Sequence, residues 1–219
     1  MLLANKTLTT GMWSKVGRVR NAAVSSALFT VLGLLTPEWV GAQQLLDDFN
    51  RANSTTVGGV WTEGGTNSGA DITSNQLRLV NPVAVAGREW TSTDVSGVYN
   101  TTLSSNSCTL TWAFNMRFSR TTPSGLDAGN YGAAVMLAGT AADPSTGNGY
   151  AIVIGNSGAP DPVRLVRYTG GLSANANTGL IVSSPITDAQ YLGVRVTYVP
   201  STNTWQLFVT NNAGPFTSP

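Results

Sequence analysis

The stretch CTLTWAFNMRF, residues 108–118, decides the fold class. Trp112, Phe114, Met116 and Phe118 alternate with Thr111, Ala113, Asn115 and Arg117. A period of two gives a β-strand one apolar and one polar side, because successive side chains point to opposite faces. Working outward, Tyr131 to Ala138, Gly149 to Ile154, Val163 to Tyr168, Tyr191 to Val199 and Thr204 to Thr210 read as further strands, with Leu45 to Phe49 and Gln76 to Val80 as shorter ones. Between them lie segments rich in Gly, Pro, Asn, Asp and Ser, the residues that favour turns. Residues 123–130 and 169–178 are read as polar, small-residue loops. Pro200-Ser201-Thr202-Asn203 reads as a hairpin turn, Pro presetting φ and Asn tolerating the left-handed region. Many short strands with almost nothing helical predict an all-β fold, an antiparallel β-sandwich in one domain.

The first 42 residues have a different character. Lys15, Arg18 and Arg20 precede the apolar run AAVSSALFTVLGLL at 22–35, and Val40-Gly41-Ala42 offers the small residues a signal peptidase accepts. The run is shorter than the roughly 18 residues a membrane span needs, and Thr36-Pro37 closes it. Residues 1–42 are therefore expected to be a helical signal peptide, with Met12 the favoured start, and 43–219 the mature domain. The expected address is secreted, extracellular or at a bacterial cell surface, with no membrane partner after cleavage.

Cleavage changes the charge and narrows the chemistry. The leader takes four bases (Lys6, Lys15, Arg18, Arg20) and one acid (Glu38) from totals of 12 and 11, leaving 8 and 10. A slightly acidic domain without a basic cluster argues against a nucleic-acid partner, whose phosphates need concentrated Lys and Arg. With no histidine, neither a Ser-His-Asp triad nor imidazole-ligated zinc can be built. Cys108 is alone, so no internal disulfide forms, and a buried structural thiol is the expected role.

Leu46-Asp47-Asp48-Phe49-Asn50-Arg51, then Val57-Gly58-Gly59-Val60-Trp61 and ITSNQLRL at 72–79, resemble the opening of secreted bacterial domains of the concanavalin A-like lectin/glucanase superfamily. Asn148 to Ile152 and VRLVRY at 163–168 look like middle strands of the same laminin G-like jelly roll, so the resemblance spans roughly 45–210. It implies the architecture more than an activity, since one fold hosts many functions. Members usually continue with further strands after the hairpin equivalent to 191–210, so the chain is expected to be part of a longer protein with further domains.

Three functional classes follow. A polysaccharide-degrading glycoside hydrolase needs two carboxyl groups about 5 Å apart, or somewhat further for inversion. No Glu-x-Asp-x-x-Glu array is present, the mature glutamates Glu63 and Glu89 have no acid two or four residues away, and Glu89 with Asp94 is the one conceivable pair. A structural surface domain without a glycan ligand needs no special residues. A carbohydrate-binding or adhesive module needs aromatic rings and planar hydrogen-bonding groups on a preformed surface, and this is the favoured reading.

Strand alternation nominates its residues. If Trp112 to Phe118, Leu192 to Tyr198 and Trp205 to Val209 place their apolar sets inward, then Asn115, Arg117, Tyr191, Arg195 and Gln206 point outward as candidate groove residues. Arg88, Trp90 and Tyr131 join them, Trp90 because it stands in a polar stretch outside any core alternation, while Trp61, Trp112 and Trp205 are assigned to the core. The expectation is that Trp90→Ala or Arg117→Ala weakens glycan binding without unfolding. No cofactor is required. A structural calcium, which many relatives carry, is left open, with Asp47, Asp48 and Asp127 as oxygen donors.

Overall fold

The computed structural model describes residues 47–66, 69–80, 87–105, 108–118, 122–187 and 191–211; the expected leader lies outside them. Among the described residues, eleven strands and one α-helix follow in the order β1 Thr62–Gly65, β2 Ala70–Ile72, β3 Leu77–Leu79, β4 Glu89–Ser92, α1 Ser96–Ser105, β5 Leu110–Arg117, β6 Ala133–Gly139, β7 Asn148–Ile154, β8 Pro162–Thr169, β9 Thr178–Thr187, β10 Tyr191–Val199 and β11 Thr204–Thr210. All pairings are antiparallel. The chain is all-β in its main part, as the alternation at 108–118 predicts.

Two sheets carry the core. One has the order β6-β7-β8-β9 and the other β11-β10-β5. Ile152, Ile154, Val163 and Leu165 from the first sheet and Trp112, Phe114, Leu192, Val194 and Val196 from the second form one buried cluster. Burying each such aliphatic side chain contributes about 1.5–3 kcal/mol, so this shared layer is what holds the two sheets to each other. The outward members of β5 are less buried, Thr111 and Ala113 partly and Asn115 and Arg117 exposed, giving the strand the burial rhythm that Trp112, Phe114 and Met116 require.

The four-stranded sheet is covered on its other face too. Met136, Ala151, Val153, Val166, Tyr168 and Leu172 form a second cluster, with Trp90, Leu126 and Ala134 against it. This is why β6 and β7 read AAVMLAG and NGYAIVI, near-continuous apolar runs rather than clean alternations. Tyr168 reaches across the paired Gly139 and Gly149, where a Cβ on either glycine would collide with its hydroxyl. The hydroxyl donates to Met136 Sδ at 2.7 Å.

A third, smaller cluster of Phe49, Val57, Trp61, Ala70 and Ile72 lies beside the two short ladders β1-β4 and β2-β3. Asp47 organises its edge: its carboxylate accepts from Arg51 Nη1 at 2.8 Å, from the Trp61 indole at 2.7 Å and from the Phe49 N–H at 2.7 Å.

Four expectations change. Residues 47–50 form no strand; the Asp47 carboxylate captures the Phe49 N–H and Phe49 takes φ 54°, which breaks extended pairing. Cys108 is exposed, not buried, because β5 begins at Leu110 and Cys108 stands before it at φ 67°. Helix α1 has no counterpart in the expected pattern: SGVYNTTLSS carries no amphipathic stripe, and its start is marked by the Asp94 carboxylate accepting the Ser96 N–H at 2.8 Å. Strand β9 lies outside the expected set because Gly179 and Pro185 punctuate it; it ends the sheet order, where a proline costs no ladder bond. The turn at 200–203 is as expected, a 3-10 turn over Pro200–Thr202 closed by Asn203 in the left-handed region at φ 50°.

Candidate functional site

The β10 register puts five of the nominated residues on one sheet face. Tyr191 pairs with Arg117, Gly193 with Asn115, Arg195 with Phe208 and Thr197 with Gln206. Positions opposite one another share a face, so Asn115, Arg117, Tyr191, Arg195 and Gln206 stand together on the side of β5-β10-β11 away from the core. The Arg117 guanidinium lies 4.7 Å from the Tyr191 ring centroid and that of Arg195 4.3 Å from Phe208. Each of these two rings thus carries a guanidinium over it.

The other three nominated residues are elsewhere. Arg88 donates to the Ser173 carbonyl at 2.7 Å, tying β4 to the loop after β8. Trp90 is half-buried against the Met136–Tyr168 cluster, and its indole lies over Gly64 of the paired strand, where any Cβ would strike the ring. Tyr131 stacks on Phe118 with centroids 6.2 Å apart and planes 14° apart. These three do not converge with the sheet face.

The carboxylates have local partners. Glu89 accepts the Gly69 N–H at 2.8 Å, Asp94 the Ser96 N–H, and Glu63 the Val57 N–H at 2.6 Å. Asp127 accepts from both the backbone and the side-chain amide of Asn175, at 2.8 and 3.0 Å, pinning two loops together. Asp48 accepts the Asn50 N–H at 3.0 Å. Among the described residues, no group of three or more acidic or cysteine side chains stands close enough to hold a metal ion.

Among the described residues, an open cleft includes Trp205, which alternation assigns to the core. At the end of the shared core layer, past Ile152 and Leu165, the same faces continue to Tyr150 and Arg167, which pair directly across β7 and β8. Opposite them stand Trp205 and Asn203 of the β10–β11 hairpin. The sheets part there into an open cleft of about 410 Å³ lined by Tyr150, Arg167, Gly179, Leu180, Ile181, Asn203 and Trp205.

Its aromatic wall is held from several sides. The Trp205 ring lies 4.3 Å from Tyr198, 4.7 Å from Tyr150 and 5.9 Å from Trp112, centroid to centroid, the Trp112 pair inclined by only 15°. Because both indoles and Tyr198 are fixed by strand pairing, the wall exists before any ligand arrives. Leu180 is 61 % exposed and Ile181 37 %, so the opposite lip is apolar and open to solvent. Asn203 is placed by its own turn, and its Oδ1 accepts from the Tyr198 hydroxyl at 3.3 Å.

The signal for this cleft is present in the sequence as a violation of pattern: Arg167 occupies the same strand face as Leu165, a core-facing position that alternation reserves for an apolar side chain. Comparison of the chain with protein-family models, with curated proteins and with solved structures returns no match.

Proposed function

We propose that this protein is a secreted carbohydrate-binding or adhesive module with a concanavalin A-like jelly-roll sandwich, and that it takes a glycan in the cleft walled by Tyr150 and Trp205. The observation that carries the reading is the cleft's composition. Aromatic rings offer an apolar, polarisable surface to the C–H face of a sugar ring, while Arg167 and Asn203 supply planar hydrogen-bonding groups for hydroxyls. The open mouth suits a polymer that enters and leaves, with the sheet face of Asn115, Arg117, Tyr191, Arg195 and Gln206 as a second area for a long chain to touch.

The test is affinity electrophoresis of the exported chain through gels containing a panel of polysaccharides, beside Gly179→Val. A Cβ at Gly179 meets nothing nearer than the Arg167 carbonyl at 3.9 Å, so valine fits the strand and fills the cleft floor. Retardation by at least one polysaccharide, lost in the folded Gly179→Val protein, is the expected result. Unretarded migration through the whole panel would leave a structural surface domain as the better reading, and release of sugars from a retained polysaccharide would move the assignment to a hydrolase.

A further inference from the structure

Resting on the glycan-binding reading, we infer that the cleft selects an acidic sugar, a uronate residue whose carboxylate is received by Arg167. The charge distribution in the cleft carries this. Of its seven lining residues Arg167 alone is charged, and no carboxylate lines the cleft to neutralise it. Among the described residues, the Arg167 side chain makes no hydrogen bond or ion pair. By contrast, Arg51 and Arg78 are paired with Asp47 and Asp71, and Arg88 and Arg164 donate to the Ser173 and Gly155 carbonyls.

The room around Arg167 points the same way. On one side it pairs with Tyr150 and on the other with Gly179, a position without a side chain and with open space above it. A guanidinium beside an aromatic floor and an empty glycine position can meet a planar carboxylate with two parallel N–H donors while the sugar ring lies along Tyr150 and Trp205. A neutral sugar would use only part of that donor fork. A sugar acid matches its charge and its geometry.

The experiment compares titration calorimetry of the exported chain with polygalacturonate, with the same polymer fully methyl-esterified, and with a neutral glucan. Expected is binding of polygalacturonate at least about tenfold tighter than of the ester, the scale of a charge-assisted bidentate contact, with Arg167→Gln erasing that difference. Arg78→Gln, on the small β2-β3 ladder away from the cleft, serves as the control for general electrostatic attraction and should leave the preference in place. Equal affinity for acid and ester, or an acid preference that survives Arg167→Gln, overturns the inference. If the ester or the glucan then still binds and Gly179→Val abolishes that binding, glycan recognition stands without the acid preference; if none of the polymers binds, the two fall together.

Discussion

Tyr150 and Trp205 belong to different sheets, yet their rings meet with centroids 4.7 Å apart. The contact closes the end of the shared core and forms the wall of the cleft, so the two roles can be separated by degree of truncation. Tyr150→Ala removes one wall ring and should lower glycan affinity by tenfold or more while the melting transition shifts by only a few degrees, as expected for a half-buried side chain. Trp205→Ala removes packing against Trp112 and Tyr198 as well and should cost about 2–4 kcal/mol of stability, read from denaturant midpoints. Equal stability losses in the two variants would contradict this division.

The hairpin turn gives a sharper separation. Asn203 sits at φ 50°, where a β-branched residue is strained by about 1–2 kcal/mol and glycine is not. Asn203→Gly is expected to keep the melting temperature near that of the parent and to weaken glycan binding. Asn203→Val should lower both, and calorimetric unfolding beside a binding titration distinguishes the two.

Alkaline pH should find Tyr168 first. Burial pushes its hydroxyl up to about 12 from the ordinary 10, since the phenolate would be stranded between strands. A raised folded value means the contribution is fully present below pH 10 and is lost as the pH rises toward about 12. Stability measured by urea unfolding should therefore fall across that window. Tyr168→Phe, which keeps the ring but removes the ionising group, should flatten the fall.

Acid should act on the small cluster through Asp47. Burial raises its carboxyl, but hydrogen bonds from the Arg51 guanidinium, the Phe49 N–H and the Trp61 indole, with the Arg51 charge, outweigh that and hold it below the usual 3.8. Because the folded value is depressed, its stabilisation is present above the unfolded carboxylate range and drains away as the pH falls through the folded one. Arg78 lowers Asp71 in the same sense. Arg51→Met should make unfolding between pH 5 and about 2 less pH-dependent, with stability already reduced at neutrality. An unchanged acid profile in that variant would show that Asp47 is not among the groups setting it.

What the sequence made legible follows from which forces act locally. Strands β5, β10 and β11 each have one wet face, so their alternation is written in adjacent residues and the shared register of Arg117 with Tyr191 follows from it. Strands β6 and β7 are covered on both faces, and there alternation gives way to runs that mark a strand without orienting it. Helix α1 rests on no periodic stripe, and Cys108 on a turn whose positive φ nothing in residues 108–118 announces. The cleft needed Tyr150 and Trp205, 55 positions apart by their numbers, to be brought together by sheets packing on each other. Single-strand rhythm assigns Trp205 to the interior and leaves Tyr150 without a role, and neither reading announces the contact of their rings. Arg167 was the local clue, a cation at an inward position.

The near-parallel pair of Trp112 and Trp205 has an optical consequence. Two indoles stacked this closely share their electronic excitations, and such coupling splits a circular dichroism band into a couplet whose sign and size depend on the angle between the rings. Since Trp205 borders the cleft, an arriving sugar that shifts it by a few degrees would reshape that couplet. The couplet would then serve as an intrinsic spectroscopic test of the proposed occupancy, readable without any attached dye.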